Sequence, residues 1–395
     1  MTALRPIDAD HHYYEPDDCF SRHLESKFCD LAIEPKGMPD GRRPWVMGDI
    51  KEVFLPSTST DRPLRPGYHE GFLTGKRDMR PPLTDADFVS LADHPSFTDR
   101  TARLKELDEQ GLDACIMLST AALSLEHDFR AMPDALCANY RSFNRWLEEV
   151  WGFGEDGRIF GVPLISLLDV EWAASEVERV AELGARFVFL KTGPVAERSP
   201  ADQHFDPFWA RVQETGIRPI FHVSNAGLTD YYGSHWGEDP SRSLLEYSAF
   251  QLLTCFSDRA IEDTLASIIL NNLFGRFPGV EVLSIENGSS WVGRLLDGMD
   301  KSAKQVRSTG PDTGLRDKPS DVFREHVYVC PYHEEDALGL VDRIGVGRVL
   351  FGSDYPHAEG LGDPLRFEEG LVGLSSDAIR KIMRDNTAAL VGLDA

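Results

Sequence analysis

Short apolar runs recur along the chain, and most are followed by a polar turn and an amphipathic stretch. Read as strands, they are Ile7 to His12, Asp113 to Ser119, Ile159 to Ser166, Arg186 to Thr192, Arg218 to Ser224, Val280 to Glu286, Val327 to Tyr332 and Val349 to Asp354. The intervening pattern has helical period at Val170 to Leu183, Asp206 to Thr215 and Asn139 to Trp151, and a closing helix spans Ser376 to Leu390. Eight strands alternating with helices predict an α/β fold of the (β/α)8 TIM-barrel type, since each crossover is long enough to return parallel. An open doubly wound sheet is the runner-up. It would carry a glycine-rich phosphate turn after its first strand, whereas this strand runs into Asp10-His11-His12-Tyr13-Tyr14-Glu15-Pro16.

The spacing is uneven. About 100 residues separate the first two strands, far more than a simple crossover needs. The part from Lys36 to Thr101 is rich in Pro, Gly and charge and reads as a lid or arm inserted in a single domain spanning 1–395. A second insertion, Asn225 to Asp258, follows the fifth strand; its Tyr231, Tyr232, His235 and Trp236 are candidates for lining a pocket.

Composition narrows the function. With 395 residues and 42% hydrophobic content the chain can bury a large core. A net charge of −24 repels phosphate backbones and anionic lipid headgroups, so nucleic acid and membrane are not expected partners. An anionic substrate would need a local positive centre. The six cysteines form no CxxC pair and read as reduced core thiols. The N-terminal residues lack an apolar signal core, and no stretch approaches a membrane span, so a soluble cytoplasmic protein is expected.

The chemistry sits at strand ends, where barrels carry it. Side chains alternate along a strand, so Asp10 and His12 share a face and His11 points away. His222 ends the fifth strand and Asp354 the eighth, beside the first. Taken singly, His222 would be an ordinary core histidine and Asp354 a turn aspartate. Together they offer two nitrogen and two oxygen ligands, a set that suits zinc and is compatible with manganese or iron.

Several words reinforce this pattern. Phe351-Gly352-Ser353-Asp354-Tyr355-Pro356-His357 precedes Glu359-Gly360, and Asp10-x-His12 precedes Glu15-Pro16. Asn144-Arg145-Trp146, Gly184-Ala185-Arg186-Phe187, Phe277-Pro278, Glu286-Asn287-Gly288 with Trp291, and Asp385-Asn386 accompany them. With these words the sequence resembles the amidohydrolase superfamily, in the branch of the aminocarboxymuconate-semialdehyde and hydroxybenzoate decarboxylases. The resemblance spans the chain apart from the two insertions. It implies one divalent metal on Asp10, His12, His222 and Asp354, no organic cofactor, and a homodimer. It departs at strand six, where many relatives place a histidine and this chain has Glu286, a candidate acid, base or ligand. Binuclear relatives carry a carboxylated lysine on strand four. Here Lys191 reads instead as a contact for an anionic group or as reaching solvent. His357 is a candidate for orienting Asp354 or touching substrate, Arg130 for binding a substrate carboxylate, and His235 for a place in the pocket.

Two reactions use this site. In the first, an aromatic or unsaturated carboxylate receives a proton on carbon from Asp354 or Glu286 and loses carbon dioxide. In the second, the metal lowers the pKa of a bound water from about 15.7 toward roughly 7, and Asp354 takes a proton as hydroxide attacks an ester, lactone or amide. The branch resembled favours decarboxylation. A catalytically silent metal-binding barrel is the third reading.

Overall fold

The computed structural model describes residues 5–39, 42–55, 62–77, 83–256, 258–307 and 309–394. The first strand, β1 (Ile7–Tyr13), is buried along its whole length. Three short strands follow, β2 (Ile33–Pro35), β3 (Trp45–Met47) and β4 (Ile50–Lys51), and form a small antiparallel sheet of their own. The remaining regular strands are β5 (Ala114–Ser119), β6 (Ile159–Gly161), β7 (Phe187–Lys191), β8 (Arg218–His222), β9 (Val282–Ile285) and β10 (Val327–Val329). They pair in parallel as β1-β5-β6 and β7-β8-β9-β10. Their residues are buried almost throughout, as expected when helices cover a parallel sheet.

Single hydrogen bonds join these two sheets into a ring. Beyond β6, Pro163 and Ile165 exchange bonds of 2.8 and 3.1 Å with Phe189 of β7. On the other side, Leu350 donates to Val329 of β10 at 3.0 Å, while Ala9 of β1 donates to Phe351 at 2.8 Å and Asp354 donates to Asp10 at 2.9 Å. The eighth stave therefore stands where the pattern placed it, but 349–354 is not a regular strand. Its Phe351 amide bonds Ile382 of the closing helix instead of a neighbouring strand, and Asn386 grips the carbonyls of Val346 and Val349. That helix is itself interrupted, running α over Ser376–Arg380, π over Lys381–Asp385 and α again over Asn386–Val391. The chain is an α/β barrel of the TIM type.

Local chemistry sets the helix ends. Asp169 caps Val170–Glu182 by accepting from Trp172, and Asp99 caps Arg100–Gln110 by accepting from Ala102. The latter helix stops at Gly111, whose φ of 76° few other residues would tolerate. The helix expected from Asn139 begins earlier, at Pro133, where proline suits the first turn. All six cysteines are free; five are buried and Cys29 is exposed.

The two insertions meet. Phe54 accepts from Leu244 at 2.9 Å, and its ring lies against Tyr247 and Phe256. Further along the first insertion, Gly67 and His69 donate to His357 and Ala358, just past Asp354. No described helix is long and apolar enough to cross a membrane.

Candidate metal centre

Four stave ends converge at one point: Asp10 and His12 from β1, His222 from β8, Glu286 after β9 and Asp354 after the eighth stave. Glu286 and Asp354 both take left-handed backbone, with φ of 51° and 56°. Such conformations cost a non-glycine residue energy and cluster at functional sites. The turn that holds Glu286 is built by its neighbours. Asn287 donates to the carbonyls of Phe221 and Ile285, and the Trp291 indole donates to those of Asn287 and Gly288. Gly352 is required by close approach, because a Cβ there would lie 2.4 Å from the Cys330 sulfur and 2.6 Å from the Asp10 Cβ.

The imidazoles are aimed by carbonyls. His12 Nδ1 lies 3.0 Å from the Ser119 carbonyl, and His222 Nδ1 lies 2.9 Å from that of Val223. A proton on each Nδ1 leaves Nε2 facing inward, the arrangement that fixes metal-binding histidines. From His12 Nε2, Asp10 Oδ1 is 3.1 Å away, and Glu286 Oε2 and Asp354 Oδ1 are each 3.5 Å away. His222 Nε2 stands 2.9 Å from Glu286 Oε2 and 3.6 Å from Asp10 Oδ1. His357 joins through its Nδ1, 2.6 Å from Asp354 Oδ1, while its Nε2 meets the Thr120 hydroxyl at 3.0 Å.

These side chains fit a metal ion. His222 Nε2 and Glu286 Oε2 are buried and face each other without hydrogen-bond alignment, so neither has a hydrogen-bond partner. Buried polar atoms rarely remain so. Ligands bound at about 2.1 Å stand roughly 3–3.4 Å apart around one ion, close to the separations seen. The donors are two nitrogens and up to three carboxylate oxygens, a borderline-to-hard set.

Electrostatics agree. Burial alone would push Glu286 and Asp10 up, but His222 and His12 outweigh it and hold both carboxyls below their usual range. Burial would lower both imidazoles; Glu286 and Asp10 instead raise them, His222 strongly. Burial and then the neighbouring Glu286, Glu359 and Asp10 push Asp354 well above a normal carboxylate. In the bare cluster, protons on imidazole and on Asp354 supply the positive charge that a dication would bring.

The structure brings together Asp10, His12, His222, Glu286, Asp354 and His357. It does not bring Lys191, Arg130 or His235 into that group. Lys191 sits beside His222 in the β7–β8 register, but its amine donates to the carbonyls of Thr192 and Pro194. It is buried beside Glu126 and does not reach solvent. A cavity of about 10 Å³ lies there, lined by Glu126, Lys191 and apolar side chains. Arg130 pairs with Asp230 at 2.8 Å and donates to the His127 carbonyl, and His235 is exposed on the second insertion.

Three supporting residues escape a reading by motif. Arg103, fully buried, donates to the carbonyls of His12 (2.9 Å) and Ser96 (2.8 Å) and contacts His11 Nδ1 at 2.8 Å. Asp8 accepts the amides of Asp10 and Ser353, at 3.0 Å each. Thr120 supports His357. No pattern singles out Arg103, whose helix Arg100–Gln110 carries charge along most of its length. Glu15, noted only as part of a word, accepts the amides of Ala121 and Ala122 and ties the end of β1 to that of β5.

A family profile described as Amidohydrolase matches residues 7–393, nearly the whole chain. The chain belongs to the amidohydrolase family. Among solved structures, an amidohydrolase from Mycobacterium avium subsp. paratuberculosis K-10 is 37% identical, with a TM-score of 0.88 over 99% of this chain and 100% of that one. The 5-carboxyvanillate decarboxylase of Sphingomonas paucimobilis is 18% identical, with a TM-score of 0.59 over 99% and 100% of the chains. A dihydroxybenzoic acid decarboxylase from Polaromonas sp. JS666, solved with manganese and 2-nitroresorcinol, is 17% identical, with a TM-score of 0.56 over 98% and 97%. The last two share the fold with this amidohydrolase.

Proposed function

We propose that this amidohydrolase is a non-oxidative decarboxylase of an aromatic or unsaturated carboxylate, using one divalent cation held by Asp10, His12, His222 and Glu286, with Asp354 beside it as the acid. The observation that carries the reading is the setting of Asp354. Its carboxyl lies 3.5 Å from His12 Nε2 and is tied to His357 at 2.6 Å, at the edge of the cation site. A carboxylic acid beside a cation site is what proton delivery to carbon requires. Lys191 is committed to two backbone carbonyls, which favours a single ion. The decarboxylases that share the fold point the same way.

When bound, the cation would draw in the substrate carboxylate and a neighbouring oxygen as a Lewis acid. Asp354 gives its proton to the ring carbon, the carbon–carboxyl bond breaks, carbon dioxide leaves, and Asp354 regains a proton from solvent. His357 holds Asp354 in place. Arg130 is spent on Asp230, so no part in binding the carboxylate is assigned to it. The described parts of the insertions 36–101 and 225–258, which meet at Phe54 and Leu244, act as a lid over the site; residues 40–41, 56–61, 78–82 and 257 of the two insertions lie outside the described residues. Manganese and zinc both suit the donor set, and the manganese in the Polaromonas enzyme favours the former here.

Hydrolysis is the second reading, favoured by the 37% identical relative being described as an amidohydrolase. Asp354 would then accept a proton from water. The test offers the metal-loaded enzyme a panel of hydroxybenzoates and a panel of lactones and aryl esters. Carbon dioxide from the first panel alone, abolished in Asp354→Asn, supports the lyase. Turnover of the second panel alone overturns it.

A further inference from the structure

The two insertions meet across the short helix Glu126–Phe129, which follows β5. Asp128 of that helix holds both of them. Its Oδ2 accepts the Val53 amide of the first insertion and the Asn225 side chain of the second, at 3.3 Å each. Next to it, the Phe54 carbonyl accepts the Leu244 amide at 2.9 Å, and the Phe54 ring lies 6.4 Å from that of Tyr247 and 5.9 Å from that of Phe256. Glu52 completes the junction. It is buried, and its Oε2 accepts the Leu55 amide at 3.0 Å. Val53 and Leu55 thus each hang on a carboxyl, with Phe54 between them.

The junction is poor in positive charge. Among the described residues, neither Glu52 nor Asp128 forms an ion pair. Lys51 faces Glu52, and Arg130 faces Asp128. Arg130 is committed to Asp230 at 2.8 Å, as is the neighbouring His127 at 2.9 Å. From the second insertion, Tyr247 faces Asp128 with an uncharged phenol. Glu246 is tied to Ser243 in its own helix cap. The two carboxyls also face each other.

A carboxylate taken out of water without a cation is unfavourable, and a second one nearby makes it more so. Burial accordingly raises Asp128 to about 6, and burial with the neighbouring Asp128 raises Glu52 to about 7. The neutral forms keep the junction intact. A protonated carboxyl still accepts through its carbonyl oxygen, so the bonds to Val53, Asn225 and Leu55 remain.

We propose that this junction is a pH-sensitive clasp, which holds the two insertions together while Glu52 and Asp128 are neutral and lets them part once both are ionised. Parting gives the carboxylates to water and ends their repulsion. The closed form is fully favoured below the ordinary values of 3.8 and 4.5, and that preference is lost as pH rises through about 6 and 7. Asn225 stands three residues past His222, so the clasp ends next to the cation site. The proposal stands independently of the reaction assigned above.

The test is hydrogen–deuterium exchange on the full-length protein at about pH 5 and pH 8, corrected for intrinsic amide exchange. Protection of the amides of 53–55 and 244–247 is expected to fall on the order of 100-fold between the two, while that of β7 changes far less. In the double variant Glu52→Gln, Asp128→Asn, protection at pH 8 is expected to stay within about threefold of that at pH 5. Each single variant is expected to keep part of the loss. Equal protection of the wild-type junction at both pH values overturns the proposal. So does a loss that persists undiminished in the double variant or, should that variant not fold, in both single ones.

Discussion

Replacing Glu286 by glutamine removes one negative charge from the centre and leaves its shape. Glu286 Oε2 lies 2.9 Å from His222 Nε2 and 3.5 Å from His12 Nε2. At an effective dielectric of about 20, unit charges roughly 3 Å apart interact by about 5–6 kcal/mol. Burial opposes both charges, so the net is smaller, and His222 is expected to lose part of the raised proton affinity that Glu286 gives it. Metal and protons compete for the same imidazoles. Because Glu286 and Asp10 raise the metal-free imidazoles, their protons persist above the ordinary value of about 6.5. Metal affinity of the wild type therefore rises with pH through neutrality and levels off only above the raised imidazole values. In Glu286→Gln the plateau arrives at lower pH. The loss of an anionic ligand lowers affinity at about pH 8 by on the order of 100-fold, and the gap to wild type narrows toward about pH 6, where the wild type spends more on displacing protons. The assay is competition for zinc or manganese against a chromophoric chelator across that range. Equal affinities with parallel pH profiles would refute the reasoning.

Gly352→Ala is expected to destabilise the protein by about 1–3 kcal/mol through overpacking against Cys330 and Asp10, and to lower metal occupancy; denaturant melts and metal analysis read both effects. Arg103→Met leaves the carbonyls of His12 and Ser96 without their buried donor. It should cost about 2–5 kcal/mol of stability and 10–100-fold in metal affinity, measured on whatever fraction remains folded by circular dichroism. Glu52 is buried, and burial raises its carboxyl to about 7 from 4.5. A raised carboxyl contributes stability that is present below about pH 4.5 and is lost as pH rises through 7. Glu52→Gln is therefore expected to stabilise the protein by about 3 kcal/mol at pH 8 and to be nearly neutral at pH 4; urea melts at the two values check the sign.

The barrel was readable because each stave is an apolar run ending in a polar turn, and seven of the eight form regular strands there, six inside the expected runs and β1 one residue longer. The eighth was readable as a stave but not as an irregular one, because its amides are shared with the closing helix and that sharing is tertiary. Asp10, His12, His222 and Asp354 announced themselves by position at strand ends. Glu286 was legible as a strand-end carboxylate where many relatives of the resembled family have a histidine, but not as a partner of His222; that place follows from left-handed backbone and the Asn287 anchor. Lys191 misled because its register beside His222 is right while its amine folds back onto Thr192 and Pro194. Arg103 lies outside every strand, and only the fold places it behind His11 and His12.

The central claim is a single cation on this donor set. Anomalous diffraction from crystals grown with manganese, paired with metal analysis of the same protein, tests it most directly. The account predicts one anomalous peak within about 2.3 Å of His12 Nε2, His222 Nε2 and carboxylate oxygens of Asp10 and Glu286, at one equivalent per chain, and its loss in His222→Ala. Two equivalents with a second peak at Lys191, or a peak away from His12 and His222, would contradict it.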